Sequence, residues 1–130
     1  MSGFSDYLED AILNWFKGTT FPAAPGTIYV ALFNNDPTDT GLSGTEVTTT
    51  IRAAGRLGVT LGSLGDGTVS NSAVVDFGTS DGTVSVTHVA IYDAASSGNM
   101  LASAALASTV NVTAGDNVSF AIGALDFTVT

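Results

Sequence analysis

His88 is the one histidine of this 130-residue chain, and there is no cysteine. A general base or a zinc ligand would use such an imidazole. A zinc site, however, gathers several His, Cys or carboxylate ligands, and a lone imidazole does not make one. By strand alternation His88 falls on the same face as Val86, Ala90 and Tyr92, so it reads as a structural residue. Paired carboxylates are the other chemistry to weigh, because a glycosidase sets two of them across the scissile bond. Asp76, Asp93 and Asp126 fall within or at the ends of expected strands, so a pair of them can meet in space. A sugar cleft also wants aromatic platforms, and the single Trp belongs to the N-terminal helix. Asp36 and Asp39, or Asp66 with its neighbouring glycines, offer oxygen ligands of the kind calcium takes. Neither group has the spacing of a calcium loop, and aspartates of this setting usually form turns.

Nucleophile and phosphate sites find no support either. Gly78-Thr79-Ser80-Asp81-Gly82 has the letters G-x-S-x-G, but it lies between expected strands and lacks the strand-to-helix setting of a nucleophile elbow. Residues 62–67 are glycine-rich, but no Lys-Ser or Lys-Thr follows them, so they read as a turn and not as a phosphate loop. The expectation is therefore a protein that is not an enzyme, with no catalytic residue, no cofactor and no bound metal.

The charge balance narrows the partners. Twelve Asp and Glu face three Lys and Arg, for a formal net charge of −9. Nucleic acid needs clusters of Lys and Arg, so no nucleic-acid partner is expected. Anionic membrane surfaces repel such a chain too. No secretory leader is visible, since the N-terminus is acidic, and no apolar run is long enough to span a bilayer. With charged residues at only 12% and hydrophobic ones at 45%, the chain has the composition of a folded domain, its polar surface drawn from Ser, Thr, Asn and Gly.

The elements follow from the periodicity. Phe4, Tyr7, Leu8, Ala11, Ile12, Trp15 and Phe16 repeat at i, i+3, i+4 and i+7, which predicts an amphipathic helix within residues 1–18. Ser2 or Ser5 can cap its start, Asp6, Glu9 and Asp10 suit the positive end of its dipole, and Gly18 suits its C-terminal stop. Residues 19–26 contain Pro22, Pro25 and Gly26 and form a linker. From residue 27 to 130 the period becomes two. Strands are expected over 27–33, 56–61, 84–93, 100–106, 109–112, 118–122 and 125–129, a weaker one over 47–51, and one bent or two short ones over 68–77. Ser80-Asp81-Gly82 reads as a hairpin turn. The fold class is mainly β: an antiparallel, jelly-roll-like β-sandwich of about eight short strands preceded by one helix.

The helix stripe invites two readings. It packs on a face or open end of the sandwich, or part of it docks on a neighbouring subunit, where large aromatics concentrate binding energy. Both hold together if the helix sits on its own domain inside a symmetric oligomer. Residues 100–106 and 120–125 are rich in Ala and nearly uncharged, which also suggests burial against another chain.

The opening segment MSGFSDYLEDAILN resembles small virion proteins of tailed bacteriophages, as do YVALF over 29–33 followed by Asp36-Pro37, and VTHVAIYD over 86–93. The resemblance runs over most of the chain in order. It implies a structural protein of the virion, made in the host cytoplasm. One role within that group is capsid cement, or decoration: a homotrimer on the capsid surface that binds and stabilises the lattice of the major capsid protein. The other is a subunit of the tail fibre or an adhesin. The short chain and the absence of shaft repeats favour cement, with Phe4, Tyr7, Leu8, Ala11, Ile12, Trp15 and Phe16 as its expected contact surface.

Overall fold

A computed structural model describes residues 3–51 and 55–128. The mainly β architecture is as expected, with a single helix and antiparallel pairing in every sheet. The chain opens with a two-residue strand, β1 (Gly3–Phe4), and then the helix α1 (Asp6–Phe16). Ser5 is the N-cap: its backbone is extended and its hydroxyl accepts the amide of Leu8 at 3.2 Å. Lys17 is the C-cap, and Gly18 follows at φ +93°, the left-handed conformation that stops a helix. The expected caps are thus the ones used.

Strands β2 (Ile28–Phe33), β3 (Leu57–Val59), β4 (Thr68–Ser70), β5 (Val75–Thr79), β6 (Val84–Tyr92), β7 (Met100–Val112), β8 (Asn117–Phe120) and β9 (Asp126–Thr128) complete the chain. A five-stranded sheet runs in the order β1-β7-β6-β2-β3, and β4-β9 and β5-β8 form two ribbons. The sheet and the ribbons enclose one apolar layer in a sandwich-like arrangement. Val30, Leu32, Val89 and Ile91 from the sheet meet Val75, Phe77 and Leu125, with Phe120 and Phe127 at the margin. Alternation along β2 and β6 supplies the inward side chains, as period two requires.

The opposite face of the sheet is buried too. Ala31, Phe33, Ala90, Tyr92 and Met100 form a second cluster. The polar loop after β2 lies over part of it: Pro37 is fully buried, and a Cβ on Gly41 would stand 3.0 Å from the Cβ of Met100. A strand covered on both sides reads as a continuous apolar run, which is how the IYVALF of β2 reads.

Five expectations change. Gly3 and Phe4, expected within the helix, form β1 instead, because their backbone pairs with β7 before Ser5 caps α1. The runs 100–106 and 109–112 are one 13-residue strand, β7, whose pairing with β6 slips between Val86/Val110 and His88/Ala105. Because of that irregularity Val86 belongs to the first cluster while Ala90 and Tyr92 belong to the second, so Val86 does not share their face. Ser80-Asp81-Gly82 is not a hairpin turn. It carries the chain from the β5-β8 ribbon to the main sheet, and β5 pairs with β8 instead. Residues 47–51 form no strand: Val47 and Ile51 enter the core, but only the amide of Val47 bonds to Leu32, beside an isolated bridge between Glu46 and Phe33.

Candidate functional site

The helix is seated by backbone hydrogen bonds at its N-terminal end. Gly3 pairs with Ser103 and Phe4 with Ala102, the amide of Ser5 donates to Leu101 O at 2.9 Å, and the amide of Asp6 donates to Asp39 O at 2.9 Å. Beyond this seat the stripe expected of α1 divides. Ala11 is buried, and Phe4, Leu8 and Ile12 are half-buried. Tyr7 is at the edge of exposure. Trp15 and Phe16 are exposed by 58% and 71%, their rings 5.6 Å apart. Trp15 falls on the side of Leu8 and Ala11 by helical periodicity and is nevertheless exposed.

Two further exposed apolar residues adjoin this surface and were not in the sequence-predicted set. Leu13 is 57% exposed and lies off the inward stripe; Phe21 is 41% exposed, in the segment after the helix. An aromatic in an exposed Pro-containing linker was the available signal for Phe21. The segment 19–26 folds back beside the helix and leaves a groove of about 340 Å³, walled by Leu8, Ala11, Phe21, Pro22, Leu101 and Asp93, with Tyr7 at its border.

The residues weighed for catalysis and metal binding are all placed. His88 is half-buried; its Nδ1 shares a 2.8 Å hydrogen bond with Thr87 Oγ1, and it lines an open polar recess with Asp36, Thr38, Asp39 and Ser103. Asp36 is engaged locally, accepting the amide of Thr38 at 2.8 Å. Among the described residues no three His, Asp or Glu side chains are grouped to hold a metal ion. Asp66 sits in the Gly65–Thr68 turn at φ +51°.

The three strand-end carboxylates each serve their own surroundings. Asp76 accepts the amide of Gly78 at 2.8 Å at the bulge of β5. Asp126 accepts the hydroxyl of Ser70 across the β4-β9 ribbon. Asp93 accepts the backbone amide of Asn99 at 2.7 Å and its side-chain amide at 3.0 Å, closing the turn between β6 and β7. Asp116 does the same for the turn before β8: the backbone amide and then the hydroxyl of Thr113 hold its carboxyl below the usual range.

No described helix is long and apolar enough to cross a membrane. The most developed surface is therefore an apolar, aromatic one on α1 and the following segment, which is suited to binding another macromolecule. No curated protein matches the chain. A family model described as podophage GP4 fiber I protein gp80 matches residues 3–128, nearly the whole chain, and on that match the protein belongs to this family of phage virion proteins.

Proposed function

We propose that this protein is a non-enzymatic structural subunit of the phage fibre, joined to its neighbours through the exposed face of α1. The observation that carries the reading is that Trp15 and Phe16 are exposed at the end of a helix whose start is anchored by the β1–β7 pairing. Apolar side chains of this size, clustered at one end of a helix, gain about 25 cal/mol per Å² when covered. The family's name supports the fibre as the place of assembly. In this reading Tyr7, Trp15 and Phe16 make the contact, while Phe4, Leu8, Ala11 and Ile12 hold the helix in position.

A second reading is capsid cement: a homotrimer on the major capsid protein that stabilises the lattice by binding only its assembled form. One observation favours it. The described residues form a compact sandwich-like body, and among them there is no elongated shaft. Quantitative mass spectrometry of purified virions separates the two. A few copies per particle support the fibre, a ratio near one copy per capsid subunit supports cement, and absence from virions overturns both. Loss of incorporation by a folded Trp15→Ala, Phe16→Ala double variant is the expected result for either; unchanged incorporation removes the helix face from the contact.

A further inference from the structure

We propose that the groove between α1 and the 19–26 segment receives a basic side chain, an arginine or lysine flanked by apolar residues, from a different protein. The inference rests on the docking reading above and names the chemistry the partner brings.

Size comes first. At about 340 Å³ the groove is at the small end of ligand sites, room for one long side chain and little more. Its walls are chiefly apolar, from Leu8, Ala11, Phe21, Pro22 and Leu101. Arginine and lysine carry aliphatic stems that lie along such walls while the charged head seeks a polar partner. Tyr7 and Phe21 add aromatic faces, which attract a cation.

Asp93 supplies the polar partner. It is half-buried at the wall of the groove, and the two hydrogen bonds from Asn99 fix the direction of its carboxylate. Those bonds take one acceptor site on each oxygen, and a carboxylate has about four. Among the described residues the one ion pair is Arg56–Glu46, and none involves Asp93. A carboxylate at the wall of an apolar groove, in no ion pair among the described residues, is complementary to an incoming cation. The neighbouring groove of about 240 Å³ shares Tyr7, Ala11 and Pro22 and carries Asp10, a second anionic seat beside the first.

A second copy of this chain is a poor donor. It has three basic residues, Lys17, Arg52 and Arg56. Arg56 is already committed to Glu46. Two chains of net charge −9 also repel. The cation comes from a partner of different sequence.

The test is a titration of the isotope-labelled full chain with acetyl-Leu-Arg-Leu-amide, followed by backbone amide shifts, against the isosteric citrulline peptide. Saturable shifts at Ala11, Phe21, Asp93 and Leu101 are expected, with a millimolar dissociation constant, weakened at least fivefold by citrulline for arginine and by Asp93→Asn. Phe21→Ala, at an exposed position, is expected to weaken the peptide too and guards against misfolding of the Asp93 variant. Equal binding of the two peptides, or shifts lying elsewhere, overturns the proposal. If Asp93→Asn loses the peptide yet enters virions at the normal copy number, the groove is not the partner's seat and the proposal falls, while the reading based on Trp15 and Phe16 stands.

Discussion

The guanidinium carbon of Arg56 lies 3.5 Å from the centroid of the Tyr92 ring. The same group forks onto Glu46 through Nε at 3.0 Å and Nη2 at 3.1 Å, and its Nη1 donates to Ala94 O at 2.9 Å and Ser97 O at 2.7 Å. One side chain thus ties the start of β3 to the loop after β2, the end of β6 and the turn beyond it. The Arg56 and Glu46 side chains are 7% and 20% exposed, so this pair belongs with buried ones. Arg56→Ala leaves Glu46 uncompensated and two carbonyls without donors, and is expected to cost about 3 kcal/mol in urea unfolding. Arg56→Lys falls between, because an ammonium cannot reproduce the fork.

Tyr92 makes stability depend on alkaline pH. Burial raises its phenol above the usual 10.0, Arg56 opposes that, and Glu46 adds to it. Below pH 10.0 the phenol is neutral in both folded and unfolded chains. Above it the unfolded chain releases the proton first, so the stability contributed by the neutral folded form declines as pH rises through the folded group's titration. Urea midpoints on either side of pH 10.0 should fall in the wild type and fall less steeply in Tyr92→Phe.

Asn71 joins the ends of the two ribbons. It is 1% exposed; its Nδ2 donates to Ala73 O and Ala121 O at 2.9 Å each, and its Oδ1 accepts the amide of Leu125 at 3.0 Å. Asn71→Ala leaves the buried Leu125 amide without its acceptor, at about 1–3 kcal/mol, whereas Ala121 O keeps the amide of Ala124 and Ala73 is exposed to water. A loss of about 2 kcal/mol is expected, with faster hydrogen exchange at the Leu125 amide.

Two glycines with positive φ should respond differently to alanine. At Gly98, φ +70°, a Cβ would stand 2.5 Å from Asp93 Oδ1 and 2.6 Å from Ala94 Cβ. At Gly115, φ +94°, a Cβ meets nothing within 4 Å. Gly115→Ala bears the left-handed cost alone, about 1 kcal/mol. Gly98→Ala adds a clash with the turn and should cost about 3 kcal/mol. Paired denaturation curves give the difference, and similar losses at both sites would argue against the close approach at Gly98.

On the helix, Trp15→Ala and Phe16→Ala should change folding stability by no more than about 0.5 kcal/mol, as exposed positions do. Ala11→Glu buries a carboxylate against β7 and should cost about 2 kcal/mol or more. The single Trp reports directly: its emission should be that of a solvated indole in the free protein and shift to shorter wavelength when a partner covers it. A buried-type emission in the free chain would contradict the exposed position.

What sequence could tell about this fold divides along local and non-local lines. The helix was legible because its caps, its stripe and Gly18 are all local signals, and the structure uses Ser5 and Gly18 as expected. In the main sheet β2, β3 and β6 were legible from alternation and β7 as two runs, while β1 was not, because Phe4 also fits the helix stripe. The partners of the strands were not legible: Ser80-Asp81-Gly82 has the chemistry of a turn, but turn chemistry says only that the chain bends, and the amide of Ser80 bonds to Asp116 O in the distant turn before β8. The slip between Val86 and His88 likewise depends on how β7 fits against β6, which no local pattern states. At the candidate site the aromatics were visible, but their division was not. Helical periodicity puts Trp15 with Leu8 and Ala11, yet Ala11 is buried and Trp15 exposed, a difference set by what lies under each turn of the helix and not by the local pattern. The anionic wall at Asp93 was out of reach for the same reason, since it forms where two segments remote in sequence meet.

The two residues of β1 have a consequence for any assembly. Hydrogen-bonded to β7 on one side of Ser5 and continuing into α1 on the other, they leave the helix no hinge at that end. Exchange of this element between neighbouring copies would first have to break that pairing, so trading helices is an unfavourable route to oligomers. The aromatic end is instead offered in one orientation, and ordering it on contact forfeits little freedom, which favours tight association from a small area. Copies joined there would inherit a fixed angle, and the symmetry of the whole would follow from a strand of two residues.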